Sequence, residues 1–166
     1  EYNRQQIGNL ATYHFTPTDN ATQNLQKIGI KPSTIYQVGN TVVDALDFIL
    51  TQIKLHKLII SQDTQALLAQ VKNNYTKIVL LTMHRRESFG KGLEEIFLAL
   101  KMIVAKFKDV EIVYPVHLNP HVIRPARAIL SGIERIHLMR PLTYEETCWI
   151  MSRCFAILTD SGGVQE

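Results

Sequence analysis

The 166-residue sequence is 46% hydrophobic and 20% charged, a composition typical of a folded domain with a sizeable core. Its net charge of +3 is small and its longest run of basic residues is Arg85-Arg86, which argues against a nucleic-acid partner. The apolar runs are too short to span a bilayer and the first residues do not resemble a signal peptide, so we expect a cytoplasmic protein without a membrane partner. Cys148 and Cys154 lack a Cys-x-x-Cys spacing or a neighbouring histidine cluster, which predicts buried reduced thiols and no metal site.

The first part of the chain has a less regular pattern than the rest. Helical patterns cover residues 3–13 and 20–28, and Thr18 or Asp19 is available as the N-cap of the second helix. A short strand, a helix and a polar passage that contains lysines follow, at 35–38, at 42–50 and up to about residue 63. The turn residues at 39–41 mark a domain boundary, which we place between residues 40 and 41.

Strands and helices alternate in the second part of the chain. Four short runs rich in β-branched and aliphatic residues predict strands, and the segments between them repeat apolar residues with helical spacing. The strands lie at 77–83, 111–116, 135–139 and 155–160, and the helices at 92–107, 122–130 and 144–154. Continuously apolar strands separated by amphipathic helices are typical of β-α-β units, which form a parallel sheet covered on both faces. The sequence therefore predicts a doubly wound, Rossmann-like α/β domain.

Each predicted strand is followed by polar or ionisable residues. In open parallel sheets ligands bind beyond the carboxyl ends of the strands, so these residues are the candidates for a binding site. They are His84, Arg85 and Arg86 after the first strand, His117 after the second, Arg140 after the third, and Asp160, Ser161, Gly162 and Gly163 after the fourth. Histidines, arginines and a Gly-Gly turn at the start of a helix favour a polyanion as ligand, most simply a diphosphate.

These motifs also have interpretations without a ligand. The segment from His84 to Glu87 is compatible with a solvated turn in which Glu87 pairs with an arginine, although its place after a buried strand favours a ligand role. His117 fits a structural histidine as well as a ligand contact. Ser161 fits the N-cap of an ordinary strand-to-helix turn.

Three ordered motifs resemble those of the non-hydrolysing UDP-N-acetylglucosamine 2-epimerases of bacteria. They are LTMHRRESFG at 81–90, YPVHLNP at 114–120 and LTDSGGVQE at 158–166. The first part of the chain is similar to the same family in EYNR at 1–4, HFTPT at 14–18 and VGNTVVDAL at 38–46. The similarity therefore extends over essentially the whole chain.

The resemblance implies a two-domain fold of the glycosyltransferase B type, with the active site between two Rossmann-like domains. Residues 1–40 are then the tail of the first domain and the crossover, and residues 41–166 are most of the second, UDP-binding domain. The implied reaction is the reversible conversion of UDP-N-acetylglucosamine to UDP-N-acetylmannosamine, by elimination of UDP to 2-acetamidoglucal and its re-addition. We expect no cofactor and a homodimer.

The resemblance also implies roles for individual residues. His84 corresponds to a catalytic histidine that contacts the substrate close to the diphosphate. Ser161, Gly162 and Gly163 correspond to residues that bind the UDP phosphates. Arg85 and His117 match positions that help bind a second UDP-N-acetylglucosamine as allosteric effector, which is an alternative to placing them in the active site.

Other family contacts are expected to be missing from this chain. The family's ribose-binding glutamate is the second of a Glu-Glu pair, of which Glu166 matches the first. The catalytic carboxylates are expected upstream of Glu1, so that the fragment itself is expected to be inactive. Thr147 stands where the family often has an aromatic residue near the uracil.

Two other functions remain open at this stage. Because fold alone does not decide chemistry, a nucleotide-sugar glycosyltransferase of the same fold is one alternative. A non-catalytic module that binds a UDP-sugar is the other.

Overall fold

The computed structural model describes residues 2–71, 76–85 and 89–165 of the chain. The chain divides into two compact units, Glu1–Phe48 and Ile49–Glu166. The domain boundary between residues 40 and 41 stays a prediction. Arg86, Glu87 and Glu166 are sequence candidates that lie outside the described residues.

The first unit contains two short strands that pair in parallel. Its elements are α1 (Tyr2–Leu10), β1 (His14–Thr16), α2 (Asp19–Lys27), a 3-10 turn (Pro32–Thr34) and β2 (Ile35–Gln37), and α3 (Thr41–Lys54) begins within it. Thr18 is the N-cap of α2, because its hydroxyl accepts the backbone N–H of Ala21 at 3.2 Å. The predicted helices and the strand at 35–38 are confirmed. Strand β1 is absent from the prediction, since three residues are too few to show a period of two.

The second unit alternates strands and helices as predicted. Its elements after α3 are α4 (Gln62–Val71), β3 (Lys77–Thr82), α5 (Lys91–Lys106), β4 (Val110–Pro115), α6 (Pro120–Leu130), β5 (Ile136–Met139), α7 (Tyr144–Met151), β6 (Ala156–Thr159) and α8 (Gly162–Gln165). The strands form one parallel sheet in the order β5-β4-β3-β6. In its register Leu80 of β3 lies between Val113 of β4 and Ile157 of β6.

Helices cover both faces of this sheet because successive strand residues point to opposite sides. Val79 and Leu81 belong to a core with apolar residues of α5 and α6, among them Phe97, which is fully buried. Ile78 and Leu80 belong to a second core with residues of α4 and α7. The α5 and α6 crossovers lie on one face and α7 on the other, as right-handed connections require when the strand order reverses. The predicted doubly wound α/β fold is confirmed.

Helix α4 and the cysteines depart in part from the sequence prediction. The buried stripe of α4 is Thr64, Leu68 and Val71. Because a threonine occupies one of its three buried positions, this helix looks polar in sequence and is missing from the prediction. Cys148 and Cys154 are both free thiols, but only Cys148 is buried, and Cys154 is half-buried. Burial raises the pKa of both thiols.

Candidate functional site

The topological switch point of the four-stranded sheet lies between β3 and β6. The chain crosses the sheet from β3 through β4 to β5, and then places β6 on the other side of β3. β3 and β6 pair as far as Thr82 and Thr159, whose hydroxyl oxygens lie 2.6 Å apart. Open α/β sheets bind ligands in the crevice at such a point. Residues 84–85 and 160–163 flank this crevice because they directly follow the two strands.

Asp160 connects the two strand ends. Through Oδ2 its carboxylate accepts the backbone N–H of Arg85 at 2.8 Å and that of His84 at 3.1 Å. Its side chain is 12% exposed, and Oδ1 lies 3.7 Å from Nδ1 of His84. Burial and the nearby charge of Asp160 raise the pKa of Tyr114, so that the phenol stays neutral. The contact between Asp160 and the end of β3 was not visible in the sequence.

The Ser161 to Gly163 turn leads from β6 into α8, as predicted. The backbone N–H of Ser161 donates to Oγ1 of Thr159 at 3.0 Å, and its carbonyl accepts the N–H of Val164 at 3.2 Å. The N–H of Ser161 is therefore occupied within the protein. Gly162 and Gly163 supply the next two backbone N–H groups, at the beginning of α8.

Gly162 lies directly beside the side chain of Arg85. A Cβ atom built on Gly162 would stand 3.5 Å from Nη2 of Arg85, which is an ordinary contact distance. The guanidinium of Arg85 therefore lies over the glycine turn, and the two motifs from opposite ends of the second unit form one surface. A guanidinium beside open backbone suits a phosphate group.

His84 and His117 follow neighbouring strands, and the structure brings their rings together. The ring centroids are 5.9 Å apart and the ring planes differ by 22°. Nδ1 of His117 accepts the backbone N–H of Asn119 at 3.1 Å. This bond places the proton of the neutral ring on Nε2. Asn119 in turn caps α6, because its side chain accepts the N–H of His121 at 2.9 Å.

A surface cavity of about 490 Å³ reaches Asp160 at this edge of the sheet. Its lining includes Met83, Ile96, Thr159 and Gln165. The volume falls within the range of about 300 to 1,000 Å³ typical of small-molecule sites.

Arg140, the candidate that follows β5, is engaged elsewhere. Its guanidinium donates to both carboxylate oxygens of Glu146, at 2.7 and 2.9 Å. Glu146 is 2% exposed and also accepts the hydroxyls of Ser61 at 2.5 Å and Thr64 at 3.0 Å. The expectation that the groups at all four strand ends converge on one ligand is therefore wrong for Arg140, because β5 is an edge strand and a buried carboxylate pairs with this guanidinium.

The environment of Glu146 holds its carboxylate ionised. Hydrogen bonds from Arg140 are the main cause, with Ser61, the backbone of Thr143 and Thr64 adding to them, and together they keep the pKa of Glu146 well below its usual range. The same pairing raises the pKa of Arg140. Thr143 and Glu146 form a capping box at the start of α7. The spacing Thr-x-x-Glu is the sequence signal that finds half of this cluster.

Thr147 does not offer the aromatic surface that the resemblance leads one to expect there. Its hydroxyl donates to the carbonyl of Thr143 at 2.8 Å, within the first turn of α7. Tyr144 is 49% exposed on the same helix. Trp149, further along α7, packs against Arg153, whose guanidinium carbon lies 4.3 Å from the ring centroid.

Within residues 2–71, 76–85 and 89–165, no group of three or more His, Cys, Asp or Glu side chains is arranged to hold a metal ion. In the same ranges no helix combines the length and apolar character needed to cross a membrane.

The sequence matches the family model described as UDP-N-acetylglucosamine 2-epimerase over residues 1–166. It is 46% identical over 167 residues to the UDP-N-acetylglucosamine 2-epimerase of Campylobacter jejuni, and 45% identical over 169 residues to that of Salmonella typhimurium. Both matches cover 100% of this chain and 44% of the relative. The chain thus spans less than half the length of these curated relatives.

Solved structures show the same likeness in three dimensions. S. aureus MnaA, solved with UDP, superimposes with a TM-score of 0.86 at 36% identity, over 100% of this chain and 42% of that one. UDP-GlcNAc 2-epimerase from Neisseria meningitidis, bound to UDP-GlcNAc, gives a TM-score of 0.83 at 33% identity, over 100% of this chain and 44% of that one. These matches confirm the predicted fold, that of one part of a glycosyltransferase B type protein. The chain belongs to the UDP-N-acetylglucosamine 2-epimerase family.

Proposed function

We propose that this chain forms the UDP-binding part of an enzyme that interconverts UDP-N-acetylglucosamine and UDP-N-acetylmannosamine. The observation that carries this proposal is the meeting of His84 and Arg85 with the Ser161 to Gly163 turn at the switch point. Cationic groups and open backbone N–H groups at one crevice suit a diphosphate. The names and bound nucleotides of the related proteins agree with this choice of ligand.

The proposed reaction makes UDP both a leaving group and a nucleophile. Removal of the C2 proton and cleavage of the bond between C1 and the diphosphate oxygen give 2-acetamidoglucal and UDP. Re-addition of UDP to C1 and of a proton to the opposite face of C2 gives the epimer. Negative charge builds up on the diphosphate as the C1–O bond breaks, so donors fixed beside it lower the barrier.

His84 is the proposed catalytic residue of this chain because it lies at the crevice with half of its side chain exposed. We assign it to the departing diphosphate. Ser161 contributes its hydroxyl, and Gly162 and Gly163 contribute backbone N–H groups. Among the described residues that follow β3 and β6, Asp160 supplies a carboxylate, and its Oδ2 already accepts two N–H groups. We therefore assign proton transfer at C2 to residues of the whole enzyme that lie outside these 166 residues, in the part of the relatives that this chain does not match.

Arg85 and His117 are the proposed effector contacts. Both lie against the diphosphate site, since Arg85 covers Gly162 and the ring of His117 stacks on that of His84. An effector held by these two residues would therefore touch the same surface as the leaving group. This arrangement offers a short route by which a second UDP-N-acetylglucosamine affects turnover.

We further propose that the protein is cytoplasmic and homodimeric. Two free cysteines support a reducing compartment, and the family resemblance supports a dimer. Cell fractionation and sedimentation equilibrium of the purified protein test these two points separately.

A chimera tests the reaction, because the chain covers 44% of the length of its Campylobacter jejuni relative. Residues 1–166 replace the matched segment of that relative, and the product is assayed with UDP-N-acetylglucosamine in D₂O. We expect UDP-N-acetylmannosamine with deuterium at C2, while the 166-residue chain alone binds UDP without turnover. Sugar transfer to an acceptor without deuterium at C2 would instead support the glycosyltransferase, and binding without chemistry in the chimera would support the binding module.

Substitutions in the chimera separate the two groups of residues. His84→Ala and Ser161→Ala are expected to weaken UDP binding about tenfold, as loss of a charge-assisted or buried hydrogen bond does. Arg85→Ala and His117→Ala are expected to change the dependence of rate on UDP-N-acetylglucosamine concentration. Unaltered activation kinetics in both of these variants would remove the effector assignment and leave the diphosphate site in place.

A further inference from the structure

We propose that Asp160 is a positioning residue, which fixes the backbone of His84 and Arg85 so that their side chains meet the diphosphate. This inference rests on the proposed function. Asp160 acts through the backbone of His84 and Arg85 and does not contact the substrate itself. The carboxylate is the link between the first and the last strand of the sheet at the edge where the ligand binds.

The hydrogen bonds of Asp160 are suited to this role. Two consecutive N–H groups converge on Oδ2, at 2.8 and 3.1 Å, and the first of them also lies 3.3 Å from Oδ1. The residues joined in this way are 75 and 76 positions apart in sequence. Strand β3 ends at Thr82, so sheet pairing does not fix the backbone at residues 84 and 85. The carboxylate of Asp160 therefore holds the backbone of the two residues that lie beyond the last pair of the sheet.

Neighbouring contacts hold the carboxylate itself in place. Its side chain is 12% exposed, and the backbone N–H of Asp160 donates to the carbonyl of Thr82 at 3.3 Å. On the opposite side of the same loop, the hydroxyl of Tyr114 donates to the carbonyl of Met83 at 3.4 Å. The loop that carries His84 and Arg85 is thus anchored on both sides, with Asp160 as its ionic anchor.

Removing the charge of Asp160 is expected to change UDP affinity in opposite directions under two accounts of its role. A carboxylate beside a diphosphate repels it, so electrostatics alone predicts tighter UDP binding when the charge is removed. Positioning predicts the opposite, because an amide replaces a charge-assisted acceptor and its NH₂ group faces backbone donors. The direction of the change therefore separates the two accounts.

The first experiment measures UDP binding by calorimetry with the 166-residue chain. We expect Asp160→Asn to weaken binding about tenfold, the size of one charge-assisted hydrogen bond. Asp160→Ser, which keeps a small acceptor without the charge, provides a second variant and is expected to bind at least as weakly. Glu146→Gln is the matched control, since it alters a buried carboxylate away from the switch point, and its UDP affinity is expected to equal that of the unsubstituted chain.

The second experiment needs no substitution. In the ¹⁵N,¹³C-labelled chain a scalar coupling through the hydrogen bond is expected between the amide nitrogen of Arg85 and the carboxyl carbon of Asp160. The amide protons of His84 and Arg85 are expected to move upfield in Asp160→Asn, while a well-dispersed spectrum shows that the variant is folded. A purely structural contribution to stability would change the melting temperature and leave the UDP affinity of the folded variant unchanged.

The outcomes distinguish this inference from the proposed function on which it rests. Tighter or equal UDP binding in a folded Asp160→Asn variant, or the absence of the coupling, would overturn the positioning role and leave the proposed function intact. Failure of both the unsubstituted chain and the chimera to bind UDP would overturn the UDP-site proposal together with this inference. In the chimera, Asp160→Asn is expected to lower kcat and to raise KM. Both changes are expected because His84 is the proposed contact of the departing diphosphate.

Discussion

Asp160 and Glu146 are two shielded carboxylates in the same unit, and they differ in the groups that donate hydrogen bonds to them. Glu146 is 2% exposed and pairs with a guanidinium, two hydroxyls and a backbone N–H. Asp160 is 12% exposed, and its closest donors are two consecutive backbone N–H groups. A carboxylate neutralised by arginine stabilises the fold, whereas one whose closest donors are backbone N–H groups shapes a loop and keeps its charge near the proposed diphosphate site. The comparison predicts that the two acids affect different measurements.

Glu146→Ala is expected to give the largest effect, on stability. It removes the acceptor of Arg140, Ser61 and Thr64, and a buried donor such as the hydroxyl of Thr64 that is left without its acceptor costs about 1 to 3 kcal/mol. The free energy of unfolding from urea denaturation measures this loss. UDP affinity of the folded fraction is expected to stay unchanged, and a parallel loss of affinity would remove the distinction between the two acids.

The pH dependence of stability gives the next effect. The folded-state pKa of Glu146 is depressed below its ordinary value of 4.5, so the contribution of its ion pair is complete above that value. It is lost as the pH falls through 4.5 towards the folded-state pKa, because the unfolded chain takes up the proton first. We expect the unfolding free energy to fall by up to about 1.4 kcal/mol per pH unit from this group below pH 4. Glu146→Gln, measured between pH 3 and 6, should show a flatter curve, and coincident slopes would contradict the assignment.

Gly162→Ala is expected to give the smallest effect, confined to the ligand. A Cβ atom there meets Nη2 of Arg85 at an ordinary 3.5 Å, so the free protein accommodates it without loss of stability. It would stand where a phosphate approaches the backbone, and we expect UDP to bind about tenfold more weakly. Calorimetry and thermal unfolding of the same variant test this pair of expectations. Gly8→Ala, whose Cβ meets nothing within 4 Å, is the matched control.

The fold and the residues at the carboxyl edge of the sheet were largely predictable because they follow from local patterns. Runs of aliphatic residues show the strands, and the residues after each run show what stands at the carboxyl edge. The His84 and Ser161 motifs were therefore found as sequence signals, and the sheet order places them side by side. Residue roles at this edge remain proposals.

The long-range polar contacts were not predictable from the same patterns. Thr143 and Glu146 form a motif that the sequence shows, but Ser61 and Thr64 lie 85 and 82 residues away from Glu146. Arg140 was a binding-site candidate because it follows a strand, and its pairing with Glu146 of the next helix was not part of that prediction. Asp160 was predicted only as a binding-site candidate, since nothing local indicates that its carboxylate reaches the loop after β3. Such contacts depend on the tertiary arrangement alone.

The pairing of β6 with β3 also bears on the order of folding. Strands β3, β4 and β5 can form a sheet with each other, but the crevice at the switch point exists only after β6 has docked beside β3. Closing that contact costs the entropy of a loop of more than 70 residues, and a ligand that binds only the closed state offsets part of that cost. UDP bound at the proposed site is therefore expected to stabilise the docked state of β6, so that ligand supply and the docking of this strand are coupled.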